Sequence, residues 1–329
     1  MSFTYRALSI ACLMGLATTP LSRVGLAAGT DAVPSPAAGL RSPGAMPVLE
    51  EHGYRMLARV RPLLFWISKD DVGAGRISWR GDDDGAFGLD LLIGSDPQRA
   101  PRRINRWGYI SEHVRGSDAR VVGVMKQSNE QSIAEAERQL GQEAGQGGYV
   151  FRAIRGTADQ REAHASVTTI RVARDLTFRE LDPLLALVSA AGHDGETRSV
   201  PLPNGTRPGF LLALRDLIRQ STDTHRQHPS VSSTPPRAPI PYVYFGVFYD
   251  LTMRSSELLR TATIDGRRYT NVARSDFEVR NRSTGHVTRF QLTYGTDGSL
   301  AGIPVHAVYR PRWWFEVQLF LDEPTAFQR

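Results

Sequence analysis

Cysteine is nearly missing from this chain: Cys12 is the only one in 329 residues. It falls inside an apolar N-terminal run, so no disulfide framework, no thiolate nucleophile and no cysteine-ligated metal is expected in the remainder. Lysine is almost as scarce. Lys69 and Lys126 stand alone among 40 basic side chains, so the positive charge is carried by arginine. Beyond that short run no apolar stretch is long enough to span a bilayer as a helix, which predicts a chain that does not cross a membrane. Motifs with a fixed chemistry are also lacking. There is no G-x-S-x-G elbow, no S-x-x-K set, no H-E-x-x-H pair and no G-x-x-x-x-G-K-[ST] loop. The sequence therefore implies no cofactor and names no catalytic residue.

What is present begins at the N-terminus. Arg6 precedes Ala7 to Ala17, Pro20 interrupts the run, and Gly25-Leu26-Ala27 offers a small-x-small cleavage pattern. Residues 1–27 therefore read as a signal peptide, and the protein as exported, periplasmic or secreted. Without those residues the formal charge falls from +6 to +4, because Arg6 and Arg23 leave and no acid does. A basic balance of this size, with acids interspersed, reads as solvated surface, so no nucleic-acid partner is expected.

Residues 28–50 form a Pro-, Gly- and Ala-rich leader. Residues 51–220 mix strands and helices. Residues 221–241, with five prolines in twenty-one positions, read as a linker or long loop. Residues 242–329 read as an antiparallel meander, sharing one sheet with 51–220 or standing apart. Phe87, Leu89, Leu91 and Ile93 alternate with Gly88, Asp90 and Leu92, as do Phe290, Leu292 and Tyr294 with their polar neighbours. Tyr242 through Met253 reads as one long strand, with Val243, Phe245, Val247, Tyr249, Leu251 and Met253 as its apolar face. Ser128 with Gln131 opens a surface helix over Glu130 to Glu143. Thr177 with Glu180 makes a capping box for another, and Leu211, Leu214, Leu217 and Ile218 form the apolar stripe of a third over Phe210 to Gln220. The predicted class is α+β, predominantly antiparallel sheet in meanders or a half-barrel, with two or three helices packed on one face.

Three constellations could carry chemistry. Asp82, Asp83 and Asp84 between glycines could gather hard oxygen ligands for a cation, although adjacent rather than alternating acids suit a polar hairpin turn better. His225-x-x-His228 lies in the Pro-rich stretch, where no scaffold would fix two rings on a metal. Two arginine-aromatic clusters remain: Arg102, Arg103, Arg106, Trp107 and Tyr109, and Arg310, Arg312, Trp313 and Trp314. Guanidinium forks beside large rings suit an anionic or amphiphilic ligand. The competing reading has arginine stems covering rings within the sheet. The function expected is non-catalytic binding of a lipid or other anionic envelope molecule. The alternatives are a secreted hydrolase using dispersed acids and histidines, or a structural or assembly protein of the envelope. An apolar cavity ringed by arginine would favour the binder, and converging acids the hydrolase. Oligomeric state has no signature here.

Overall fold

The computed structural model describes residues 46–61, 66–103, 105–126, 149–190, 196–228, 233–234, 236–312 and 315–322. The expected signal segment 1–27, the leader up to residue 45, the surface helix Glu130–Glu143, and Trp313 and Trp314 lie outside the described residues, as do the side chains of Arg102 and Arg312.

The described chain is mostly antiparallel sheet with few helices. The strands are β1 (Val48–Val60), β2 (Ile67–Gly81), β3 (Phe87–Ser95), β4 (Trp107–Arg115), β5 (Asp118–Lys126), β6 (Tyr149–Ala158), β7 (Glu162–Val172) and β8 (Glu196–Pro201) in the first part. The remainder supplies β9 (Ser233–Thr234), β10 (Ile240–Tyr244), β11 (Val247–Ile264), β12 (Arg267–Asn281), β13 (Val287–Gly295), β14 (Pro304–Arg312) and β15 (Phe315–Asp322). Two α-helices are described, α1 (Leu181–Ala190) and α2 (Phe210–Gln227). Neither is long and apolar enough to cross a membrane.

All the strands join one sheet. Its order runs from β10 through β15 to β1 and on to β8, with β9 pairing β11 off that path. Each step is antiparallel, as short connections demand. The one non-sequential step pairs β15 with β1, from Gly53 opposite Asp322 to Val60 opposite Phe315.

The reading of Tyr242–Met253 as a single strand is corrected. Phe245 and Gly246 both adopt positive φ, 48° and 65°, and the chain folds back there as a two-residue hairpin between β10 and β11. Glycine adopts that conformation freely, and two positive φ values give the turn a twist matched to its strands.

The sheet curls until its end strands approach one another. Among the described residues no ladder joins β8 to β10. Instead the Arg198 guanidinium of β8 lies 5.0 Å from the centre of the Phe245 ring. Tyr244 reaches across to β5, so close that a Cβ on Gly123 would lie 2.2 Å from its hydroxyl. Arg207, ahead of α2, bridges to Tyr242 of β10.

The helices lie on opposite faces of the sheet, which corrects the expectation of a single helical face. Strand residues alternate sides. Trp107 and Tyr109 of β4 share a core with Leu181, Leu184 and Val188 of α1, whereas Ile110 shares one with Phe210, Leu217 and Ile218 of α2. Hence α1 covers the outer face and α2 occupies the inside of the curl. Every residue of β4 from Trp107 to His113 is buried as a result.

The inner core draws on both parts of the sheet: Leu89, Val121, Ile154 and Val167 on one side, Leu251, Phe277, Phe290 and Tyr294 on the other. The ring of Phe210 meets Tyr242 at 5.8 Å and Phe290 at 6.1 Å, in tilted and edge-on arrangements. α2 also extends through Gln227, seven residues into the stretch read as Pro-rich loop. Its last turns contain Ser221, Thr222 and His225, all buried, which local propensity does not anticipate.

Candidate functional site

Inside the curl, α2 does not fill the space. A groove of about 280 Å³ remains between the helix and strands β1 to β3. Its buried floor and walls are apolar: Leu89 from β3, Leu211 and Ile218 from α2, Ile303 just ahead of β14 and Pro304 at its start, with the partly buried Trp79, Ile77 and Leu214 beside them. The rim is charged. Arg215, Arg219 and Arg226 project from α2 with Asp223, and Glu50 faces them from β1. Residues 211, 214, 215, 218, 219, 222 and 226 recur at helical spacing, so one stripe of α2 supplies a whole wall.

The cations at the rim are held differently. Arg215 stacks over Phe87 at 4.6 Å and pairs with Asp216 at 3.1 Å. Arg226, which is exposed, donates from Nε to the Thr296 carbonyl at 2.9 Å, which restrains the guanidinium plane. Arg219 is exposed, with neither a salt bridge nor a hydrogen bond among the described residues.

A buried hydroxyl sits below this rim. Thr222 is 4% exposed and lines the groove, yet its Oγ1 has no hydrogen-bond partner among the described residues. A helical threonine can satisfy itself by donating to the carbonyl four residues back. Thr224 does so to Gln220, at 2.8 Å, and Ser189 does so to Leu185. Thr222 does not, although an unpaired buried hydroxyl costs about 1–3 kcal/mol.

The opposite face of α2 is polar too, and its hydroxyls bond to one another. Ser256 of β11 lies 3.0 Å from Ser221 Oγ and 3.0 Å from His225 Nε2. Ser275 Oγ donates to Ser256 at 2.8 Å and lies 2.9 Å from the Tyr294 hydroxyl. His225 is thus a packing residue.

The N-terminus of α2 is held by an acid from far along the chain. The backbone N–H groups of Leu211 and Leu212 donate to the two oxygens of Glu112 on β4, at 3.0 and 2.9 Å. Gly209 is required by close approach: a Cβ there would fall 2.2 Å from the Glu112 carboxyl carbon. Glu112 is fully buried, and burial pushes its pKa up to about 7, against the lowering effect of these backbone donors.

The arginine-aromatic residues of the sequence reading are placed elsewhere. Trp107 and Tyr109 are buried in the outer core under α1, where the Trp107 indole donates to the Leu176 carbonyl at 2.9 Å and packs on Phe151. Arg106 is buried, its backbone N–H bonded to Ser95 Oγ at 2.8 Å. Arg103 is exposed, with φ at 55°. Arg310 pairs with the buried Glu316, whose other oxygen meets Arg59 at 3.2 Å. β4 and β14 are separated by four strands of the sheet, so the two clusters do not converge.

The three aspartates form the β2–β3 hairpin turn. Asp82 accepts from the Ala86 and Asp84 backbones at 2.9 and 3.1 Å and from Arg115 at 2.9 Å. Asp83 and Asp84 are exposed, with Asp84 3.5 Å from the same Arg115 guanidinium. Among the described residues no group of three or more acidic, histidine or cysteine side chains could hold a metal ion.

One Ser, His and Asp set does meet. Ser111 Oγ lies 3.0 Å from His113 Nε2, and Asp90 Oδ1 lies 3.5 Å from the same nitrogen. A relay needs the two partners on different ring nitrogens. Here both share one, all three side chains are buried, and Arg80 completes the cluster by pairing with Asp90. Burial works against the Asp90 charge, but His113, Ser111 and Arg80 together hold its pKa below the usual carboxylate value.

No family model matches the chain, and no curated protein matches it. Among solved structures it is similar to a β-barrel-like protein of a domain of unknown function (DUF1849) from Brucella abortus. The likeness has a TM-score of 0.44 at 8% sequence identity, over 84% of this chain and 98% of that one.

Proposed function

We propose that the protein binds an amphiphilic, anionic small molecule in the groove beside α2, without chemical conversion, after export from the cytoplasm. The observation that carries this reading is the groove itself: an apolar interior under a rim of Arg215, Arg219 and Arg226. A ligand with an apolar body and an anionic end would bury the body against Leu89, Leu211 and Ile218 and leave the anion among the guanidinium groups. The arginine-aromatic clusters do not enter it, because their described rings are used in packing.

Native mass spectrometry of the protein purified from its own cell envelope tests the reading. A retained small molecule is expected, and Leu214→Trp, which fills the groove from a half-exposed position, should abolish its retention while leaving the melting temperature within a few degrees. Retention unchanged by that substitution would place the ligand elsewhere. N-terminal sequencing of the same material should begin at Ala28; a chain still starting at Met1 would remove the export part.

A further inference from the structure

We infer that the polar end of the ligand is a single carboxylate, received by Arg219, Thr222 and Arg226 on one stripe of α2. This rests on the groove reading and adds the headgroup chemistry to it. The three residues stand at spacings of three and four along the helix, so their side chains face the same part of the groove. Thr222 brings a hydroxyl with no hydrogen-bond partner among the described residues, enclosed as it stands but turned toward the groove by rotation to the other side-chain rotamer that a helical threonine uses; Arg226 brings a guanidinium already anchored through Nε to Thr296, and Arg219 an exposed cation. A carboxylate has two oxygens with about four acceptor positions, enough to take one hydroxyl and two guanidinium donors at once.

The same rim disfavours a more highly charged head. Asp223 and Glu50 also line it, and Arg215 is already paired with Asp216. Asp216 is shared with Arg207, at 2.7 Å, so Arg215, Arg219 and Arg226 set against Asp223 and Glu50 leave the rim one net positive charge, which a carboxylate neutralises and a phosphate dianion exceeds. A neutral alcohol would use Thr222 and leave both arginines without a counter-charge.

The test uses three ten-carbon probes that differ only at the head: decanoate, decyl phosphate and decan-1-ol, titrated calorimetrically into the purified protein at pH 8. Decanoate should bind about tenfold or more tighter than either of the others, as expected where a site is built around specific polar partners. Thr222→Val should weaken decanoate by about fivefold to tenfold and leave decan-1-ol within about twofold, while Thr222→Ser, which keeps the hydroxyl, should restore decanoate affinity. Arg219→Gln should bring decanoate close to decan-1-ol.

Equal binding of decanoate and decan-1-ol, or a Thr222→Val protein that binds decanoate normally, would overturn the carboxylate assignment and leave the groove as a site for apolar chains. Tighter binding of decyl phosphate would overturn it in favour of a dianion. Failure of all three probes, with Leu214→Trp also without effect on any retained molecule, would sink the groove reading itself.

Discussion

The two faces of α2 carry the same kinds of residue and treat them in opposite ways. Toward β11 to β13, Leu217 is fully buried and the hydroxyls of Ser221, Ser256, Ser275 and Tyr294 form a continuous hydrogen-bonded chain with His225. Toward β1 to β3, Leu214 is half-buried, a groove of about 280 Å³ remains, and the Thr222 hydroxyl is unpaired. Buried polar groups contribute to one defined structure when every member has a partner, and they destabilise it when one does not. One face therefore carries a hydrogen-bonded network of hydroxyls, and the other leaves a groove beside a hydroxyl with no partner among the described residues.

Paired substitutions sharpen that contrast. Leu217→Ala should cost about 2–5 kcal/mol in urea unfolding, since it opens a cavity in a closed core. Leu214→Ala, on the groove side, should cost under about 1 kcal/mol; equal losses would mean that the faces do not differ.

The next effect concerns the acid at the head of the helix. Glu112 has a folded pKa near 7, against 4.5 for the ordinary side chain. Between those values the folded protein keeps a proton that the unfolded chain has released, so stability falls as pH rises through that window. At about 1.4 kcal/mol per unit the total is roughly 3 kcal/mol. Glu112→Gln should remove this slope, raising the melting temperature at pH 8 relative to the parent and changing it little near pH 4. A parent protein whose stability is flat from pH 4.5 to 7 would refute the assignment.

The smallest effect separates the hydroxyls. Ser256→Ala should cost about 1–3 kcal/mol, because it strips partners from Ser221, His225 and Ser275 together. In the ligand-free protein Thr222→Val should be neutral or slightly stabilising, because it removes an unpaired group. Matching losses in thermal unfolding would erase the distinction between the faces.

Much of the sheet was legible because alternation survives wherever one face is buried: β3 and the strands from Val287 onward read directly from spacing. β1 was not. Val48–Val60 holds Glu50 and His52 among Tyr54 and Met56 on one side and Glu51, Arg55 and Arg59 on the other, so neither parity is apolar. The far end of α2 was hidden for a different reason. Ser221, Thr222 and His225 are poor helix formers, and what keeps the helix going there is contact with β11, more than thirty residues later. The helix's apolar stripe was visible, but Arg215, Arg219 and Arg226 beside it look like any solvated helix face until β1 to β3 are set opposite. Glu112 left no local trace, because it acts on backbone about a hundred residues away.

The curl of the sheet closes at a seam, and α2 is the covalent tether across it: the chain leaves β8, runs through the helix and returns as β10. A finished ring of strands could form first and admit its contents afterwards. Here the occupant of the lumen is the very segment that links the two lips. Any parting of the lips would therefore pull on the helix that walls the groove.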